Sequence, residues 1–236
     1  MKSDAHSVRG KQRGNVLQAY RARGHNKNDL SLLYSVKTGR DWIVKSDRRL
    51  VHWIYFLETN SDVQCFDLAP PETCTVEGEE VSGLHLAATV QYFDGRHEWH
   101  GICSPPEARG RDCIALPNPN IELNSNAATS AGATYRNFED DELKACANEA
   151  VHWLKPLAMA STLRTGKYIH EIAVVATCLS TRARGTLREV LGELSDFDPA
   201  IVMGLLVKMR IQGLVCFDLK EQSFGYDTQW KWTGHT

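Results

Sequence analysis

The sequence predicts two α/β domains in tandem, first a helix followed by a small sheet and then a helix–helix–hairpin. Three observations carry this. Leu50, Trp53, Ile54 and Leu57 recur at i, i+3, i+4 and i+7, the apolar face of a helix over residues 47–59. Residues 63–103 then hold several short runs with the mixed apolar and polar character of strands. From Gly185 onward, two well-capped helical patterns precede two short strand candidates. At 236 residues and 42% hydrophobic content, the chain is long enough to bury two small cores.

Taken in order, Ser46 or Asp47 caps the first helix. Val63-Gln64-Cys65-Phe66-Asp67-Leu68 alternates as a strand and ends at Pro70-Pro71. Further strands are expected over 73–76, 84–93 and 99–103, with Asp94-Gly95 as the turn between the last two. Residues 104–134, rich in Pro, Asn, Ser, Gly and Ala, read as a linker. A helix is expected from 140 to 157, with Pro156 helping to end it. Thr186 to Glu189 is a capping box, and Leu187, Val190, Leu191 and Leu194 form the stripe of the helix it opens. Asp198 caps a second helix, Pro199 occupies its first turn and Gly213 stops it. Strands over 214–219 and 224–230 follow, separated by Lys220-Glu221-Gln222-Ser223. Helix, helix, hairpin is the order of a winged helix.

Charge is distributed unevenly. Residues 1–49 hold 12 of the 27 Lys/Arg and four of the 29 Asp/Glu, a surplus of eight positive charges, while the rest holds 15 against 25, a deficit of ten. A basic arm over 1–40, with Arg9, Lys11, Arg13, Arg21, Arg23 and Lys27, suits phosphates, each neutralised phosphate releasing counterions; the alternative is a solvated tail. Seven cysteines with no CxxC pair argue against a disulfide framework or a zinc ribbon and for reduced thiols. The apolar runs fall short of a bilayer span and the start carries no secretory signal, so a cytoplasmic protein without a membrane partner is expected.

Phe56-Leu57-Glu58, Ser61-Asp62-Val63 and Ala69-Pro70, together with Gly213-Leu214-Val215-Cys216-Phe217-Asp218-Leu219, resemble motifs of TnsA, the endonuclease subunit of heteromeric transposases. The resemblance spans residues 42–236. It implies a restriction-endonuclease-like domain over 41–125, a mixed sheet with flanking helices, and a winged-helix domain over 135–236. Chemistry in that family needs acids that hold divalent metal, with a lysine or glutamine beside the nucleophile. By the family's spacing its glutamate falls on Leu50, its aspartate on Ala87 or Ala88, and its final pair on Gly101 and Cys103. None of these is an acid. The resemblance therefore implies a nuclease without catalytic residues, metal or cofactor, acting as a DNA-associated adaptor for a transposase or an AAA+ ATPase regulator.

Two other readings remain open. A relocated metal site would use Asp94, His97, Glu98 and His100, which otherwise form a polar hairpin tip. Glu77-Gly78-Glu79-Glu80 reads as a loop, and His52 as a structural helix residue. A winged-helix regulator of DNA is the other, yet residues 200–212 offer only Lys208, Arg210 and Gln212 for base reading. Tyr226, Trp230 and Trp232 are candidate anchors for a protein partner, or else packing residues between wing and helices.

Overall fold

The computed structural model describes residues 30–234 apart from 46–47, 71–72, 77–78, 85, 103–118, 146, 218 and 220–221. The arm residues Arg9, Lys11, Arg13, Arg21, Arg23 and Lys27, and the candidate Cys103, lie outside the described residues. Contacts divide the chain into two units, one of residues 1–33, 40–53 and 63–145, the other of 34–39, 54–62 and 146–236. The division at 145 falls later than the 125–135 junction that the resemblance implies.

Strands β1 (Leu30–Ser35) and β2 (Arg40–Lys45) form a two-stranded sheet. Gly39 lies in its turn at φ +64°, a backbone that glycine adopts without strain, and donates to the Ser35 carbonyl. The basic-arm reading of 1–40 is thereby shortened: its last residues are strand and turn. Helix α1 (Arg48–Thr59) follows as expected, and its stripe residues Trp53, Ile54 and Leu57 are buried.

In the first unit, β3 (Val63–Asp67), β6 (Ala88–Tyr92), β7 (His97–Ile102) and β8 (Thr134–Phe138) form a four-stranded mixed sheet in that order, antiparallel except for the parallel β7–β8 pair. The β6–β7 turn closes with Gly95 at φ +86° and Tyr92 donating to the Arg96 carbonyl. A separate hairpin joins β4 (Thr73–Val76) to β5 (Glu79–Ser82), pairing Val76 with Glu79, so Glu79 and Glu80 are strand residues and not loop. Helix α2 (Pro119–Ser130) and β8 occupy much of the expected linker. Their periodicity is faint because α2 buries only small side chains, Asn124, Ala127 and Ala128, against Leu84, Leu86 and Trp99. A short helix α3 (Asp140–Ala145) ends the unit.

The second unit is built on α4 (Ala147–Thr162), α5 (Ile169–Arg182), α6 (Leu187–Glu193) and α7 (Pro199–Ile211). Pro156 does not end a helix. It lies buried inside α4, where packing of Trp153 and Ala160 into the core offsets the hydrogen bond that proline removes. Three short strands, β9 (Arg184–Thr186), β10 (Val215–Cys216) and β11 (Gln229–Trp232), form a sheet in the order β10-β11-β9. The two expected hairpin strands are thus shorter, and β9 joins them from before α6. Both caps form as read: Thr186 Oγ1 accepts from Glu189 N and Glu189 Oε2 from Thr186 N, while Asp198 accepts from Ala200 N. Gly204 lets α7 approach α4, since a Cβ there would stand 2.8 Å from Leu163 Cδ1 and 3.0 Å from the Met159 carbonyl.

Candidate functional site

The positions that the nuclease resemblance singles out fall at the head of β6 and the end of β7. Ala88 is fully buried and faces His100 across the strands, and Ala87 donates to the His100 carbonyl at 2.7 Å. Leu50 lies on α1. Gly101 is the most telling. A Cβ built there would sit 2.1 Å from the Tyr135 hydroxyl and 2.9 Å from Asn137 Oδ1. The neighbouring strand fills the space a side chain would need, and buried Asn124 donates to the same hydroxyl at 3.5 Å. The position is therefore without an acid, and one placed there would have to displace the Tyr135 hydroxyl.

One residue earlier the chain turns to the other face of the sheet, where a polar network is buried. His100 has no exposed side-chain surface. The Trp53 indole N–H donates to its Nδ1 at 3.3 Å, and its Nε2 stands 2.9 Å from Glu98 Oε2. Because an indole only donates, Nδ1 must accept, which places the single ring proton on Nε2, directed at the carboxylate. Glu98 Oε2 also accepts from the Tyr92 hydroxyl at 2.8 Å. Phe138 packs on the imidazole with ring centroids 4.8 Å apart. Burial holds His100 below its ordinary pKa, against the pull of Glu98. Burial alone would raise Glu98, but the hydrogen bonds from His100 and Tyr92 outweigh it and hold the carboxylate low. Burial, and then Glu98, push Tyr92 up.

This geometry corrects the relocated-metal reading. Glu98 and His100 are together, but both imidazole nitrogens are engaged within the protein, so neither offers a lone pair to a metal. Asp94 is at the exposed turn, occupied by Arg96 through both its backbone N–H at 3.0 Å and its Nε at 2.6 Å. His97 is exposed and His52 half-buried on α1. Among the described residues, no three His, Cys, Asp or Glu side chains are grouped as metal ligands.

In the second unit, α7 buries Val202, Gly204, Leu205, Leu206, Val207, Met209 and Ile211. Arg210 turns inward: its guanidinium lies 5.6 Å from the Trp153 ring centre and 5.9 Å from that of Phe217, and donates to the carbonyls of Phe217 and Thr59. Lys208 is half-buried. Of the three aromatic candidates, Trp230 is core: it is 3% exposed and its indole N–H donates to the Thr186 carbonyl at 3.1 Å, because strand alternation turns it inward. Trp232 is half-buried against the same core. Tyr226, 54% exposed, presents its ring to solvent beneath Arg188.

Sequence reasoning missed the Trp53–His100–Glu98–Tyr92 network, although the Glu98-x-His100 spacing on a strand does put both side chains on one face. Neither the protein-family models nor the curated proteins searched contain a match to this chain. No helix among the described residues is long and apolar enough to cross a membrane.

Proposed function

We propose that this chain is a non-cutting, TnsA-like subunit: a DNA-associated adaptor that docks a transposase or an AAA+ ATPase regulator within a transposition complex in the cytoplasm. The first unit is then a restriction-endonuclease-like domain whose chemistry has been lost, and the second a winged helix. The order of elements supports the first assignment. A helix ending in Leu57-Glu58 leads to β3, then Ala69-Pro70, a middle strand β6, a tight turn and β7, within a mixed sheet. Support for the second is the run α5, β9, α6, α7, β10, β11 with β11 central.

The observation that carries the reading is Gly101, where the first member of the family's final pair would stand and where any side chain would have to displace Tyr135 and Asn137. Ala88, fully buried opposite His100, removes the strand acid as well. Docking of a protein, in preference to base reading, rests on α7, which spends its surface on the core and holds Arg210 inward.

The test is incubation of the purified chain with supercoiled plasmid and with end-containing DNA in Mg²⁺ or Mn²⁺, which should leave both intact. Metal-dependent cleavage lost on Asp94→Ala or Glu98→Ala would overturn the reading in favour of an active nuclease. A pull-down with the full chain from its host should recover the transposase or ATPase. Sequence-specific duplex binding without such a partner would favour a transcription regulator.

A further inference from the structure

On the three-stranded sheet of the second unit, two cations are placed where sheet energetics disfavour them. Arg184 on β9 and Lys231 on β11 are direct partners in the antiparallel register, and both are exposed. Like charges directly opposite on neighbouring strands repel. Neither has an ion-pair partner among the described residues, whereas the cations around them do: Arg182 pairs with Glu193 and Glu189, and Arg188 with Asp227. The strand alternation that turns Trp230 inward turns Gln229 and Lys231 outward. The outward row runs from Arg184 through Lys231 to Cys216, with Thr186 and Gln229 beside it. No carboxylate stands among those five residues. Glu189, at the side of the row, is held by the capping box and by Arg182. Above the row lies an open groove of about 720 Å³, whose charged lining is Arg182, Arg184, Lys231 and one acid, Glu189, with Thr186 and Gln229 beside them.

We propose that this sheet face is a sequence-neutral phosphate-binding surface that lies along the backbone of duplex DNA. The donors suit that ligand and no base: two free cations, a hydroxyl and an amide are the groups that hold phosphate oxygens, and none is presented on a helix that could enter a groove. The groove carries three cations against the one carboxylate of Glu189, which Arg182 and the capping box hold, on a chain whose residues 50–236 carry a deficit of ten positive charges, so charge selects a polyanion here. The inference rests on the DNA-associated part of the proposed function and moves the contact of the C-terminal unit from α7, which is buried, to the sheet.

The experiment measures the affinity of the full chain for duplexes of unrelated sequence by fluorescence anisotropy across a salt series, for wild type and for the double variant Arg184→Gln/Lys231→Gln. Two lost phosphate contacts should flatten the slope of log affinity against log salt by about 1.8, roughly 0.9 per contact, equally on every sequence. Relief of the cross-strand repulsion should leave the melting temperature unchanged or raised. Exposed Cys216 gives a local probe, and duplex DNA should slow its alkylation in the wild type and not in the variant. An unchanged slope, a lowered melting temperature, or unprotected Cys216 in a chain that still binds DNA would overturn this inference and leave the adaptor reading standing. Absence of any DNA binding by the wild type would overturn both. Displacement of DNA by polyglutamate at equal charge would overturn it in favour of an acidic protein segment.

Discussion

At the scale of single residues, two positions decide what the first unit can do. His100 is neutral because the fold gives its Nδ1 a donor and buries the ring, so protonation would set N–H against N–H at Trp53. Its folded pKa lies below the ordinary 6.5, so the unfolded chain takes up the proton first and stability falls as pH drops below that value. The limiting slope is about 1.4 kcal/mol per pH unit for one proton. Denaturant unfolding between pH 5 and 8 should show this fall, and His100→Phe should remove it. Glu98, held below its ordinary 4.5, contributes stability that is lost lower, as pH falls through the carboxylate range. Trp53→Phe leaves Nδ1 buried without its donor and should cost about 1–3 kcal/mol. Gly101 carries the second decision. Gly101→Ala drives a methyl into the Tyr135 hydroxyl and should destabilise by about 1–3 kcal/mol, with a smaller penalty in a Tyr135→Phe background. An equal penalty in both backgrounds would mean that the contact is not what closes the position.

At the scale of elements, the strongest local signals formed as read and the weak ones did not. The Thr186–Glu189 box and the Asp198-Pro199 start mark α6 and α7 because side chains there satisfy N–H groups that a helix terminus leaves open. Thr186→Ala should lower stability by about 1 kcal/mol, measured by thermal or urea unfolding. α7 carries two cations with different duties. Arg210→Ala removes a guanidinium packed on Trp153 and Phe217 and bonded to two carbonyls, so it should destabilise the chain clearly. Lys208→Ala should stay within about 0.5 kcal/mol of wild type. Equal effects of the two would contradict the inward placement of Arg210.

At the scale of the whole molecule, the basic N-terminal segment runs into the fold. Residues 1–29 carry seven Lys/Arg against Asp4 and Asp29. Beyond them, Lys37 is structural. Its Nζ donates to the Leu57 and Asn60 carbonyls at the end of α1, while its backbone N–H and the Ser35 hydroxyl each donate at 2.7 Å to buried Glu58. Arg40 lies 4.5 Å from the Trp42 ring centre. Deleting residues 1–29 removes seven cations and should flatten the salt dependence of DNA binding. Deleting 1–40 should in addition lower the melting temperature, because β2 loses β1 and the end of α1 loses Lys37. Circular dichroism melts of the two truncations distinguish these outcomes.

Elements whose cause is local are legible in the chain alone. The apolar stripe of α1, the alternation of β3, the Gly95 turn and the caps of α6 and α7 are each written in fewer than about a dozen consecutive residues. Legible there too is that Leu50, Ala87, Ala88 and Gly101 are not acids. Tertiary structure decided what depends on residues far apart. α2 and β8 fold within a stretch of linker-like composition because Ala127, Ala128 and Phe138 fit spaces made elsewhere. Pro156 stays inside α4 because packing holds the helix past it. Lys37 belongs to the fold and not to the arm because Lys37 and Glu58, 21 positions apart, need each other. Trp230 is core and Lys231 faces outward because β9, distant in sequence, completes the sheet on which they alternate. Closure of the Gly101 position belongs to the same class, since the hydroxyl that fills it arrives from residue 135 on a parallel strand, a pairing that no local pattern records.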